Sequence, residues 1–296
     1  MRCALCKREA ELEKSHVIPK FVFRSMKKES PTGNMRLTSQ SNKKVQDGDR
    51  QKLLCGSCED LFNEDETLFA NRIYHKYRAD SLKEFEYEEW LNRFITSVNW
   101  RNLYLDIIGF VMEKNIDPYR LDILIQAEKI MRDYLLKERD NLETIENHIF
   151  FFNPISEASD SISDMHLHTV MGGSAFGYTF ISYHHDSYYV FLNLQGLIIV
   201  TIIKPAQDDS WKNTLVQNEG QLNLNKPQYI TTPLFSEFEY LAQQRKQAME
   251  QMSEKQRIQI IDSIKKNPER YKTSKAFEQL QDDLRLKRIN DNKRNN

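Results

Sequence analysis

Cys3-Ala4-Leu5-Cys6 and Leu54-Cys55-Gly56-Ser57-Cys58 bracket the string Lys14-Ser15-His16-Val17-Ile18-Pro19-Lys20, and these three stretches decide how the first sixty residues fold. The four cysteines are the only ones in the chain. Two CxxC turns with no thiol left over match what a tetrahedral zinc ion requires, because each turn presents two thiolates to one point. The spacing predicts a structural Zn2+ held by Cys3, Cys6, Cys55 and Cys58. Four unliganded thiols would rarely arrive as two such pairs.

Around this frame the elements are short. Residues 1–13 read as the first knuckle followed by a hairpin strand, and Ile18 to Lys28 as a short amphipathic helix with Phe21, Val22 and Met26 on its apolar side. Pro31-Thr32-Gly33-Asn34 ends that helix. Residues 35–52 are polar, turn at Gln46-Asp47-Gly48-Asp49, and lead through Lys52-Leu53-Leu54 into the second knuckle. From Cys58 to about Tyr77 the apolar residues Leu61, Phe62, Leu68, Phe69 and Ile73 recur at helical spacing.

Two longer helices follow, Tyr87 to Lys114 and Pro118 to Arg139, with Asp117 as a cap and Pro118 at the first helical position. At His148 the period changes. Segments His148–Phe152, Met165–Val170, Gly177–Tyr183, Ser187–Leu192 and Gly196–Lys204 are β-branched and aromatic and are separated by turn signals, which predicts an antiparallel β-meander. Residues 205–232 read as an irregular connection. A charged helical region runs from Thr232-Pro233 to about Arg288, broken near Met252-Ser253 and Asn267-Pro268. The fold class is α+β, in two units at 1–78 and 79–290, with 291–296 as a disordered tail.

Composition narrows the function classes. Hydrophobic residues make up 40% and charged residues 29% of the 296, which suits a globular chain. The longest apolar run, Leu197 to Ile203, falls far short of the roughly 20 residues of a membrane span. The chain opens Met-Arg-Cys with no apolar h-region, so we expect no export signal and a cytoplasmic, reducing location where thiolates bind metal. The net charge of −1 is uneven: residues 1–58 hold thirteen Lys and Arg against six Asp and Glu, and the remainder is acidic. A basic module on an acidic body suits a nucleic-acid contact; a solvated surface accounts for the charge equally well.

Two cysteine knuckles with His16 in a His-hydrophobe-Ile-Pro string between them, and a helix after the second, resemble the zinc-bearing HNH (His-Me finger) nucleases over residues 1 to 70. The nearest likeness is to bacterial HNH-like proteins with Ser-His-x-Ile-Pro-Lys, Gln-Asp-Gly and Leu-Cys-x-x-Cys-Glu, present here at 15–20, 46–48 and 54–59. The resemblance implies a ββα-metal, treble-clef module that hydrolyses phosphodiester bonds, most plausibly in DNA. Such hydrolysis needs a deprotonated water and a divalent cation. His16 is then the general base. Glu59 stands where the family has a metal-binding His, and Asn63 lies four residues on along the same helix face, so the two are candidate ligands for catalytic Mg2+ or Mn2+. The sequence departs from the pattern at Ser15, where Asp or His is usual, and at Arg50, where Asn is expected; Asn42, Asp47 or Asp49 could supply the missing group.

Lys14, Lys20, Arg24, Lys27 and Lys28 surround His16 and could clasp phosphates, with a solvated helix face as the competing account. The resemblance suggests a restriction or phage-defence effector whose residues 79–290 serve partner binding, sensing or dimerisation. The alternative is a degenerate HNH zinc module acting as a nucleic-acid or protein adaptor. His166-x-His168, expected on one strand face, and His184-His185-Asp186, in a turn, offer a weaker third reading, a metal-dependent enzyme centred on the meander.

Overall fold

The segment Leu197-Ile198-Ile199-Val200-Thr201-Ile202-Ile203 has no polar face, and it becomes a strand covered on both sides. The computed structural model describes residues 1–152 and 165–294. In chain order the first part gives β1 (Leu12–His16), α1 (Lys20–Glu29), β2 (Met35–Leu37), β3 (Gln40–Val45), β4 (Arg50–Cys55), α2 (Gly56–Phe69) and α3 (His75–Arg78), the last two joined through a π-helical turn at Ala70–Tyr74. Then come β5 (Glu84–Tyr87), α4 (Glu89–Glu113), α5 (Pro118–Leu135), β6 (Glu146–Phe151), α6 (Leu167–Gly172), β7 (Ala175–Ser182), β8 (Ser187–Leu194) and β9 (Leu197–Lys204). The remainder is β10 (Ser210–Lys212), β11 (Leu215–Val216), β12 (Gly220–Asn223), β13 (Tyr229–Thr231), α7 (Ser236–Glu250), α8 (Glu254–Lys266), α9 (Pro268–Lys272) and α10 (Lys275–Arg294). The chain is therefore mixed helix and antiparallel sheet.

The main sheet has the order β11-β6-β9-β8-β7, antiparallel throughout. Alternation along β9 sends Leu197 and Ile199 to one face, with Leu91, Phe94 and Ile95 of α4, and Ile198, Val200 and Ile202 to the other, with Met171 of α6 and Phe238 of α7. A polar seam interrupts the first face. Asn92, Thr96 and Asn99 lie at helical spacing on α4, and Asn147 of β6 donates to Asn92 Oδ1 at 2.7 Å and Thr96 Oγ1 at 2.8 Å. Thr201 Oγ donates to Asn147 Oδ1 at 2.6 Å and accepts from Asn99 at 2.7 Å. These bonds tie the helix to two neighbouring strands at one register.

The helices at 89–113 and 118–135 and the strands at 146–151, 175–182, 187–194 and 197–204 follow the periodicity. Met165–Val170 does not form the expected strand. Leu167–Gly172 is helical because Asp283 of α10 accepts from the N–H groups of His168, at 2.9 Å, and Thr169, at 3.0 Å, satisfying two donors of the first turn. Residues 205–232 carry four short strands: β10 pairs with β13, β12 with β5, and β11 extends the main sheet. The expected tail at 291–296 is helical as far as Arg294; 295–296 lie outside the described residues.

The C-terminal helices reach back to the amino-terminal part through polar contacts. Arg36 of β2 donates to Gln256 of α8 at 2.7 Å, and the Ser253 N–H donates to Asn42 of β3 at 2.8 Å. None of the described helices is long and apolar enough to cross a membrane.

Replacing Asn147 with Leu should lower stability by roughly 2–4 kcal/mol, because it takes the acceptor from the Thr201 hydroxyl and the donor from the side-chain oxygen of Asn92 in a buried seam. Equilibrium denaturation measures this. A loss below about 1 kcal/mol would mean that the seam does not hold the helix on the sheet.

Candidate metal centre and histidine site

Each knuckle follows from its local sequence. In the first, Lys7 takes a left-handed conformation (φ 59°), the Lys7 N–H donates to the Cys3 carbonyl at 3.0 Å, and the turn brings Cys3 and Cys6 together. In the second, Cys55 precedes α2 and Cys58 follows one helical turn later. Pairing of β1 with β4 and the bond from Ala4 N–H to the Leu53 carbonyl at 2.9 Å join the two turns. All four Sγ atoms lie within 4.8 Å of one another, and Cys6 Sγ is 3.8 Å from Cys55 Sγ. A tetrahedral zinc with bonds of about 2.3 Å has S···S edges of about 3.8 Å. The four cysteines could therefore hold a metal ion such as zinc.

Charge makes the same point. Burial opposes ionisation of Cys3, yet N–H groups of Cys55, Cys6 and Leu5 outweigh it and draw the thiol down to about 7. Burial and the neighbouring thiols push Cys58 the other way. Four thiolates this close repel one another, and a divalent cation supplies the compensating charge. The cluster is built into a core with Trp100 and Leu103 of α4 and Leu124 and Met131 of α5.

His16 ends β1 opposite Arg50 of β4. Its Nε2 lies 3.1 Å from Asp47 Oδ1, which also accepts from the Gly48 N–H at 3.0 Å. The other carboxylate oxygen of Asp47 pairs with Arg50 at 2.6 Å. Gly48 is required here, since a Cβ would meet the Phe23 ring at 2.0 Å, and Phe23 in turn faces the imidazole at 6.4 Å between centroids. Donation from Nε2 to a carboxylate places the proton on that nitrogen and leaves the Nδ1 lone pair as the base. Desolvation pushes the Asp47 pKa up, and the hydrogen bonds from His16 and Gly48, together with the Arg50 charge, more than offset it, so the carboxyl titrates below its usual range.

The backbone of His16 is fixed from the scaffold. Arg101 of α4, 2% exposed, donates to the His16 carbonyl at 2.8 Å and to Glu66 of α2 at 2.5 Å, and its guanidinium lies 5.1 Å from the centre of the Phe62 ring. Arg101 and Glu66 escaped the motif reading because they lie outside the cysteine frame. The available signal was a lone Arg on the apolar face of a helix otherwise built from Phe94, Val98 and Leu105.

The other sequence-predicted residues separate into groups. Ser15 is buried and its Oγ has no hydrogen-bond partner among the described residues; the same holds for Oε1 of Glu59. Asn63 is exposed on α2, and neither it nor Glu59 hydrogen-bonds to His16. Of the three groups considered as substitutes, Asp47 meets His16, Asp49 accepts from Gln51 at 2.8 Å, and Asn42 is committed to the C-terminal part. Lys14, Lys20, Arg24 and Lys28 are exposed and Lys27 is half-buried; none forms an ion pair among the described residues.

His166 and His168 are not on a strand: His168 is buried and bonds Asp283 at 3.0 Å. His184 and His185 stack edge to face in an exposed turn while Asp186 turns away to Lys204. Among the described residues the four cysteines are the one group of three or more His, Cys, Asp or Glu side chains placed to hold a metal ion.

Cys55→Ser should abolish stoichiometric metal binding, read by elemental analysis, and unfold the amino-terminal part, because apparent zinc-binding energies of about 10–16 kcal/mol at such sites are also folding energies. A metal-free variant that is normally folded would contradict this. The depressed Asp47 pKa gives a pH signature. Its contribution to stability is present above the unfolded carboxyl value of about 3.9 and is lost as pH falls through the lower folded value. The stability advantage of wild type over Asp47→Asn should therefore be level near neutrality and shrink below about pH 4, as urea titrations across pH would record.

In comparisons with known proteins, no family model, no curated protein and no solved structure matches the chain.

Proposed function

We propose that this chain is a metal-dependent endonuclease of HNH type that hydrolyses phosphodiester bonds in DNA, with a zinc-stapled treble clef as its catalytic module. The observation that carries this reading is the His16–Asp47 pair at the end of β1, the strand whose pairing with β4 joins the two turns of the four-cysteine cluster. Two further atoms support it. Ser15 Oγ and Glu59 Oε1 occupy the two positions where the HNH family carries metal ligands, and both are buried oxygens without hydrogen-bond partners among the described residues. Leaving such an oxygen unsatisfied costs about 1–3 kcal/mol, which a cation would recover.

In this mechanism Nδ1 of His16 takes the proton of the attacking water while Asp47 holds the ring and stabilises the imidazolium that forms. Both Asp47 oxygens are already engaged, so Asp47 positions the base and does not bind metal. Mg2+ or Mn2+ bound by Glu59, with Ser15 and Asn63 as further oxygen donors, would neutralise charge on the phosphate and the leaving oxygen. The exposed Lys14 and Lys20 would meet the flanking phosphates, which makes binding steeply salt-dependent.

The test is cleavage of supercoiled plasmid with Mg2+ or Mn2+. Wild type should nick it, His16→Ala should be slower by about 10²–10⁴-fold, and Asp47→Asn should be impaired with DNA affinity retained. Undiminished cleavage by His16→Ala would remove the base from the mechanism. No cleavage by wild type, with DNA still bound, would leave a non-catalytic adaptor.

A further inference from the structure

We propose that the cleft between α1 and the α9–α10 junction is a binding site for a phosphate-bearing ligand of nucleotide size, separate from the His16 site. The cleft has a volume of about 620 Å³ and is walled by α1, the end of α3, and residues 270–275. Five cationic side chains line it against the single carboxylate of Glu29.

Two of those cations are already neutralised. Glu29 takes both donors of the Arg78 fork and also accepts from Gln195 at 3.1 Å and Ser25 at 2.8 Å. Lys275 is paired with Asp80 and with Glu278. Among the described residues Arg24 and Lys28 have no hydrogen bond or ion pair, and the Arg270 guanidinium donates only to the neutral carbonyl of Ser30, at 3.2 Å. Three uncompensated cations thus converge from two chain segments some 240 residues apart. Their mutual repulsion is relieved by an anion.

The chemistry of the walls selects the anion. Guanidinium groups bind phosphate through paired hydrogen bonds, and a lysine adds a point charge. Phe21 and His75, 6.2 Å apart between ring centroids, give the cleft an aromatic wall against which a base can lie. The volume lies in the usual range of small-ligand sites, about 300–1,000 Å³. A free nucleotide and a stretch of nucleic-acid backbone present the same phosphate. Either would bridge α1 to the C-terminal helices, which otherwise meet the amino-terminal part through a few polar contacts.

The site stands independently of the nuclease reading, and calorimetry on the 296-residue chain purified with zinc supplied tests it. The probes are ATP, tripolyphosphate, adenosine, and a 5′-phosphorylated pentathymidylate. ATP and tripolyphosphate should bind, adenosine should not, and Arg270→Glu and Lys28→Glu should each weaken ATP by at least about tenfold while His16→Ala leaves it unchanged. Both reversed residues are exposed, and unchanged thermal unfolding verifies that each variant is folded. Binding of the oligonucleotide but not of ATP, lost in the same variants, identifies the phosphate as that of a strand. The proposal is overturned if no probe binds, or if binding is the same in wild type, Arg270→Glu and Lys28→Glu. A protein that cuts plasmid and binds no probe refutes this site alone; one that binds ATP through Arg270 and cuts nothing refutes only the nuclease.

Discussion

A buried guanidinium sets the position of His16. Taking the Arg101 charge out of water costs several kcal/mol, and it is tolerable because each of the three guanidinium nitrogens has an acceptor. Glu66 supplies the countercharge, the carbonyls of His16 and Ser97 take further donors, and Phe62 covers the face. Because Arg101 belongs to α4, the far end of β1 is held by the helix that lies on the main sheet. A two-stranded sheet such as β1–β4 is marginal in isolation. Here its chemically interesting end is anchored at one side by four cysteines and at the other by a cation it does not own.

The two carboxylates of interest are in contrasting states. Asp47 is saturated by a ring nitrogen, a backbone N–H and a guanidinium, which hold it ionised. Glu59 keeps a buried oxygen that nothing in the described protein satisfies. Under the proposed mechanism this is a division of labour between a residue that orients and a residue that can ligate. Arg50, a departure from the HNH pattern that the sequence resembles, helps to hold Asp47 against His16.

Much of this was legible in the sequence, and what was not has identifiable causes. The cysteine pairs, the capped start of α5 at Asp117-Pro118, and strands β7 to β9 announce themselves through spacing, cap chemistry and period. Met165–Val170 misled because a short apolar run has no decisive period, and its state is set by Asp283 more than a hundred residues away. Strands of two to four residues such as β10 to β13 are too short to show alternation. His16 could be found from its motif. Its partners could not be found in the same way, since Asp47 lies in a polar loop beside Asn42 and Asp49 as rival candidates, and Arg101 is 85 residues distant.

The chain boundary after Arg78 separates segments of sequence, and the core runs across it. Cys3, Cys55 and Cys58 share one hydrophobic cluster with Trp100, Leu103, Leu124 and Met131, while Phe69, Ile73 and Tyr74 share another with Leu91, Phe94 and the strands of the sheet. The Phe69 and Phe94 rings stack at 3.9 Å between centroids across that boundary. Helix α4 therefore presents one side to the cysteines, one to the sheet through its asparagine seam, and Arg101 to the histidine strand. A disturbance at the metal centre changes the surface against which α4 lies, and the same helix carries it to the sheet. The amino-terminal part and the sheet are thus two faces of one folding problem, and a metal ion at the cysteines would stabilise both.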